Sequence, residues 1–308
     1  MEMSIHTWDE VDFQELAAAM HPARAHHKKT IQLLVHEFLR WRYSEPPVVI
    51  CARSHNELVG WLMLHTTSPA MAEINPGPFG GHPVVRGSSE VRACLIKEAI
   101  SYATARGFEK IDLTISMEEP SEQFKTYESQ YTACGFEPFY FCMKCILSEQ
   151  EYSGFEVPAG IEIKQTTQVS EDDLYHCYCD AFSAGEAEFF FDQTEDEKWE
   201  FFKELSPSEA LIEECSLVFI KDQHVVGFTY LLEYGGEENS HLSLICIHPD
   251  FQGQGLGKAL LFTTMKKAAR KYRAMTLYTE ADTSALELYR ACGFREGGGS
   301  ITYIYRIT

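Results

Sequence analysis

No apolar run in this chain of 308 residues approaches the ~20 residues that a membrane-spanning helix requires, so no spanning segment is expected. The opening MEMSIHTWDE has neither the basic start nor the apolar stretch of a secretory signal. Positive charge is scarce. Lys and Arg number 26 against 46 Asp and Glu, a formal net charge of -20, which argues against nucleic acid or an anionic membrane as partner. The excess of acid fits two readings, the solubility of an acidic cytosolic protein and the attraction of a cationic substrate. Ten cysteines without a signal peptide point to reduced thiols and a cytoplasmic location. One pair, Cys142 and Cys145, has C-x-x-C spacing, but it lies in an apparent strand, FYFCMKCIL, with no second pair at zinc-finger distance. No metal is expected. Cys177 and Cys179, two apart on a helix pattern, are expected to be packing residues.

Two familiar phosphate-binding motifs are also missing, although one stretch comes close. HLSLICIHPDFQGQGLG, residues 241–257, has the period-2 pattern of a strand up to Ile247. His248-Pro249-Asp250 breaks it, a glycine-rich loop follows, and residues 256–270 have helical spacing. A strand, a tight glycine turn and a helix start together form an anion cradle, because the orphan N–H groups and the positive end of the helix dipole converge there. The dinucleotide fingerprint would need glycine where Lys258 stands, and a P-loop would need glycine at Gln252 and Ser or Thr at Ala259. Both are excluded.

What the stretch resembles is motif A of the GNAT N-acetyltransferases, [R/Q]-x-x-G-x-[G/A] after the fourth strand, with Gln252, Gly255 and Gly257 at its fixed positions. Downstream, EADTSALELYRACGF resembles the family's A-x-x-L-Y-x-x-x-G-F ending through Ala285, Leu288, Tyr289, Gly293 and Phe294. Asp282 stands where the family usually has asparagine. The resemblance implies an α/β fold with an α+β mixed sheet, and acetyl-CoA as co-substrate. Main-chain groups of Ile245, Cys246 and Ile247 would hold the pantetheine arm and polarise the thioester, at a strand that splays from its neighbour. Gln252, Gly253, Gln254, Gly255, Leu256 and Gly257 would form the cofactor loop, with Lys258 beside it for a phosphate and Asp282 nearby. His241 shares a strand face with Ser243, opposite Leu242, Leu244 and Cys246. It is either a histidine hydrogen-bonded at a strand start or, as the resemblance implies, the base that takes the amine proton, with an ordinary pKa near ~6.5. Tyr289 is either core or the acid that protonates the leaving thiolate.

The chain also repeats itself. His82-Pro83 falls in register with His248-Pro249, an offset of 166 (248 minus 82), and YTACGF (131–136) with YRACGF (289–294), an offset of 158 (289 minus 131). Arg86 and Gly87 match Gln252 and Gly253, but Ser89 and Val91 replace Gly255 and Gly257. Two tandem GNAT domains are therefore expected: 1–148 with a decayed loop and Tyr131 as a fold residue, a linker at 149–159, and 160–308 with the intact acetyl-CoA site. Hairpins should turn at Ser54-His55-Asn56 and Lys221-Asp222-Gln223, and helices should be capped at Ser170-x-x-Asp173 and Ser284-x-x-Glu287. His26-His27-Lys28-Lys29 is the most basic patch, expected at a solvated helix start. The expected reaction moves an acetyl group from acetyl-CoA directly to a primary amine of a small molecule, a cationic one fitting the acidic charge. A protein or peptide N-acetyltransferase and a non-catalytic acyl-CoA-binding regulator are the alternatives. The acceptor's identity and the oligomeric state are not encoded in these motifs.

Overall fold

A computed structural model describes the chain except for residues 21–30, 34, 37–45, 75–83, 86–88, 118–121, 149–155, 186–187, 192, 207–208, 235–237, 282 and 308. The basic cluster at 26–29 and the loop residues Arg86 and Gly87 lie outside the described residues, as does most of the 149–159 segment. The chain forms two compact units, and neither is a continuous half of the sequence. One holds 1–140 with 299–308, the other 141–298. This differs from the division at 149–159, because each copy ends in a strand that crosses into the other unit.

The first unit contains β1 (Glu2–Thr7), α1 (Phe13–Met20), β2 (Val48–Ser54), β3 (Glu57–Ser68), β4 (Met71–Ile74), β5 (Val84–Val85), α2 (Ser89–Arg106), β6 (Lys110–Met117) and α3 (Glu122–Ala133). Its sheet runs β1-β2-β3-β4-β6, with β5 on β3. The run VVICA in β2 is apolar throughout because both sheet faces are covered. Ile50 and Ala52 join one core with Leu95 and Ala99 of α2, while Val49 and Cys51 join another with Leu16 and Ala17 of α1. β7 (Glu137–Ile146) begins in this unit and continues into the second.

The second unit adds β8 (Glu162–Gln165), α4 (Glu171–Ser183), α5 (Glu188–Phe191), α6 (Glu195–Glu204), β9 (Leu217–Lys221), β10 (His224–Glu233), β11 (Asn239–Ile247), α7 (Leu256–Ala268), β12 (Ala274–Glu280) and α8 (Ser284–Ala291). Strand order here is β8-β9-β10-β11-β12-β7. One face packs Val218, Phe228, Tyr230, Leu244 and Cys246 under Leu174, Tyr178 and Phe202 of α4 and α6. The other packs Leu217, Phe219 and Val226 under Leu256, Ala259 and Leu260 of α7. The final strand, β13 (Arg295–Arg306), returns to the first unit, where Gly299 to Arg306 pair antiparallel with Met117 to Lys110 of β6. The Ser170 hydroxyl accepts from the Asp173 amide at 3.1 Å, as its spacing predicts. The cap of α8 is Thr283, one residue before the expected Ser284, since the Thr283 hydroxyl reaches the Leu286 amide at 3.3 Å.

The duplication is visible in backbone detail. His55 and Asn56 turn one hairpin with φ 49° and 68°, and Asp222 and Gln223 turn its counterpart with φ 49° and 66°, an offset of 167 (222 minus 55). Paired left-handed residues are the mark of a type I′ turn. Val59 and Val226, again 167 apart (226 minus 59), are each the extra residue where the following strand shifts register. By the same register, the His65–Glu73–Asp112 row across β3, β4 and β6 is the counterpart of Leu232–His241–Thr276 across β10, β11 and β12. Glu73 thus stands where the second unit has His241. His65 Nε2 lies 3.2 Å from the Glu73 carboxylate. Burial, then the charge of Glu73, pushes the Asp112 carboxyl from its ordinary 3.8 up to about 7.

Asp112 therefore holds a proton in the folded chain, between about pH 4 and 7, that the unfolded chain releases. Its contribution to stability is lost as pH rises through that window. Asp112→Asn should remove this slope and make the protein more stable than wild type at pH 8, by at most about 4 kcal/mol. Thermal melts of both proteins at pH 5 and pH 8 check this. A difference in Tm that does not change with pH would show that Asp112 carries no such proton.

Candidate active site

β11 has two edges, and they behave differently. Towards β10 it stays paired to its end, with Gly227 opposite Ile247. Towards β12 the parallel pairing runs from Asn239–Ala274 to Leu242–Leu277 and then stops. The cause lies at Ser243. Leu242 is opposite Leu231 and Leu244 is opposite Tyr230, so Ser243 is an extra residue with nothing across from it. Such a bulge bends and twists a strand. The Ser243 hydroxyl donates to the carbonyl of Leu205, at the C-terminal end of α6, and ties the bend down.

The bulge also corrects the expected strand faces. Strict alternation would put Leu242, Leu244 and Cys246 on one side. Instead, Leu242 packs with Leu261 and Met265 of α7, whereas Leu244 and Cys246 pack with the helices of the opposite face. His241 points away from the Leu242 side. Beyond the bulge, the His248 amide donates to Val226 of β10 at 3.0 Å. By alternation, the N–H and C=O groups of Ile245 and Ile247 face the edge from which β12 has departed, while those of Cys246 face β10. Of the three residues expected to hold the arm, Ile245 and Ile247 thus turn their main-chain groups to the open edge, and Cys246 turns its own to β10. The Ile247 carbonyl already accepts from Gln252 Nε2 at 2.9 Å.

The loop that follows is built by its own side chains. His248 Nδ1 accepts from the Asp250 amide at 3.3 Å, Pro249 opens a single tight turn, and Gln254 Nε2 reaches the Asp250 carbonyl at 3.1 Å. Gln252 and Gln254 thus act on the loop itself. Gly253 and Gly255 have φ 70° and 79°, and a Cβ at either would meet no atom within 4 Å. Their need for glycine is conformational, and the space above them is open to a ligand. Gly257 is ordinary helix, where a Cβ would lie 3.5 Å from Leu288 and 3.6 Å from Ile247. The first helical bond of α7 runs from the Ala259 amide to the Gly255 carbonyl, at 3.0 Å. The amides of Leu256, Gly257 and Lys258 precede it and have no acceptor within the helix, which suits them to a pyrophosphate. Lys258 extends along the helix, its ammonium 5.4 Å from the Phe262 ring centre. Asp282 lies outside the described residues. In the first unit, Ser89 and Val91 sit in the first turn of α2.

His241 is flanked by rings. Tyr234 and Tyr278, 51 % and 45 % exposed, stand with centroids 5.0 and 5.3 Å from its own. Its Nδ1 is 3.0 Å from the Thr276 hydroxyl. Burial pushes its pKa down to about 4, not the ordinary value expected, so the ring is neutral at pH 7. Tyr289 lies in the α7–α8 core at 7 % exposure, its ring 5.9 Å from Phe294, and burial holds its hydroxyl protonated far above the usual range. Its counterpart Tyr131 is fully buried in the first unit's core, with a hydroxyl that has no partner among the described residues, and it packs as the fold residue expected.

Residues 172–294 match the model of the acetyltransferase (GNAT) family. This part of the chain is similar to a GNAT acetyltransferase domain. The match indicates an acyltransferase, and GNAT enzymes in general use acetyl-CoA. The fold of the whole chain is similar to that of a GCN5-related N-acetyltransferase from Sphaerobacter thermophilus, at 15 % identity and a TM-score of 0.57, over 99 % of this chain and 95 % of that one. It is also similar to a tandem GNAT protein from the clavulanic acid biosynthesis pathway, at 15 % identity and a TM-score of 0.51, over 99 % and 98 %. At these identities the likeness is one of fold. No curated protein sequence matches the chain. Among the described residues, no helix is long and apolar enough to cross a membrane.

Ser243, Tyr234, Thr276 and Tyr278 are absent from the motif-based site of the GNAT domain. Strand register brings Tyr234, Thr276 and Tyr278 to His241 and leaves Ser243 as the bulge, and register is not written in any local pattern.

The loop geometry separates its glycines. Gly255→Val places a β-branched residue at φ 79° and should abolish acetyl-CoA binding, whereas Gly257→Ala should bind within about threefold of wild type, a difference under 1 kcal/mol. Calorimetric titration with acetyl-CoA compares them. Equal affinities in the two variants would mean that the loop conformation does not form the site.

Proposed function

We propose that the second unit transfers an acetyl group from acetyl-CoA directly to a primary amine of a small molecule. The observation that carries this reading is the parting of β11 from β12 at Leu242, with His241 beside the fork and the Gly253–Gly255 loop at the strand's end. Acetyl-CoA, when bound, supplies the activated acyl group. The open N–H of Ile245 polarises an acyl carbonyl at the exposed strand edge. Neutral His241 takes the proton that the amine loses as its nitrogen bonds to the acyl carbon. Tyr289, protonated throughout the neutral range, donates a hydrogen bond to the departing sulfur. His241 and Tyr289 approach from opposite faces of the sheet, and the gap left by β12 joins those faces. A protein-directed transferase and a non-catalytic acyl-CoA sensor are the alternative readings. The placement of an acid and a base on either side of one gap favours an enzyme over a sensor.

The first unit is assigned a packing role, with one acetyl-CoA per chain. The acidic charge favours cationic acceptors, whose kcat/KM should fall as salt rises.

Thiol release from acetyl-CoA against a panel of amines, polyamines, aminoglycosides and peptides tests the reaction. With the best acceptor, Tyr289→Phe and His241→Ala should each lower kcat by roughly 10²–10⁴-fold while acetyl-CoA affinity stays near wild type. The acidic limb of kcat/KM due to His241 should lie near pH 4, because burial lowers its pKa and protonation removes the base only below that value. Wild-type turnover in both variants would remove these two residues from the mechanism.

A further inference from the structure

Nδ1 of His241 is 3.0 Å from the hydroxyl oxygen of Thr276, and that oxygen is 3.3 Å from the Ser240 carbonyl. Thr276 is 8 % exposed, and its hydroxyl has one hydrogen to give. Two arrangements are possible. If Thr276 donates to His241 Nδ1, the Ser240 carbonyl loses that donor and one bond forms. If Thr276 donates to the Ser240 carbonyl, which can only accept, its oxygen is free to accept from an Nδ1–H of His241, and both bonds form. A buried cluster favours the arrangement with more of its groups satisfied.

We infer that Thr276 is a positioning residue for the reaction proposed above: it holds His241 as the Nδ1–H tautomer and so leaves the Nε2 lone pair to accept the amine proton. The inference rests on His241 being the base of that reaction. The same strand register puts Thr276 opposite His241, one step before the final pair of Leu242 and Leu277, so the base is set beside the fork. Tyr234 and Tyr278, whose rings flank the imidazole, limit its rotation without contributing to the choice of tautomer. Asp112 occupies the corresponding register position in the first unit, opposite Glu73, where there is no histidine whose tautomer it could set.

The tautomer can be read without any substrate. In the full-length protein labelled with ¹⁵N-histidine at neutral pH, the His241 resonances are found by their loss in His241→Gln. They should show a protonated Nδ1 and a lone pair on Nε2. Thr276→Val, close in shape but without the hydroxyl, should shift the ring towards Nε2–H and lower kcat about tenfold, the effect of one net hydrogen bond on the tautomer population, with KM for acetyl-CoA unchanged. Thr276→Ser should restore both the spectrum and the rate. A protonated Nε2 in the wild-type protein, or wild-type kcat in Thr276→Val, would overturn the inference. Wild-type turnover in His241→Gln would overturn its catalytic half and the base assignment together, while the resonances still report the tautomer by themselves.

Discussion

The site depends on one residue that has nothing opposite it. Ser243 interrupts the register of β11 against β10, and at the same place β11 and β12 part. The parting exposes the Ile245 backbone, and an exposed pair of main-chain groups inside a domain must find partners. In the proposed reaction, a substrate arm that pairs like a strand would answer that need. The bulge also separates Leu242 from Leu244, so each side of the fork has its own core: α7 and α8 with Leu242, α4 and α6 with Leu244 and Cys246. A regular β11 would keep β12 in register and close the gap. The bond from Ser243 to the end of α6 makes this bend part of the fold rather than a local fault.

Much of this was legible in residues alone, and the failures share one cause. The glycine loop, the start of α7, both hairpin turns and the Ser170 cap are local, fixed by the conformational needs of neighbouring residues, and the expectations for them hold. The exchange of β7 and β13 is not local. Nothing in FYFCMKCIL or SITYIYRIT says which sheet receives it, because both have the same apolar strand character. The bulge was invisible for a related reason: Leu242, Leu244 and Cys246 alternate perfectly in sequence, and only the pairing shows that one step is skipped. The neutral state of His241 follows from burial by neighbours that register assembles, so an ordinary pKa was the natural and mistaken expectation.

Strand exchange gives the duplicated chain a constraint that two separate domains would not have. The core of the first unit contains Tyr303, wholly buried, and that of the second contains Met143, also wholly buried. Residues 110 and 306 must therefore meet before the first unit is complete. Contacts so distant in sequence are entropically slow to form, and the first copy cannot finish folding until the whole second copy has been made. Divergence of the loop in one copy is compatible with keeping both, since each copy remains necessary to the other's sheet.

The chemistry of the two copies has diverged in the same row of the sheet. Across β3, β4 and β6 stand His65, Glu73 and Asp112, where burial, and then the charge of Glu73, keeps a proton on Asp112 near neutrality. Across β10, β11 and β12 stand Leu232, His241 and Thr276, with no carboxylate in the row. A carboxylate beside His241 would favour the imidazolium and raise its pKa; a hydroxyl does not. With no carboxylate in the row to offset it, burial keeps this histidine neutral at every physiological pH. A base with a pKa near 4 is too weak to deprotonate a free alkylammonium, whose pKa is about 10. It can accept the proton only once bonding to the acyl carbon has made the nitrogen acidic. In the proposed reaction, ionisation of the acceptor, and not of the enzyme, would then set the rise of rate between pH 6 and 9.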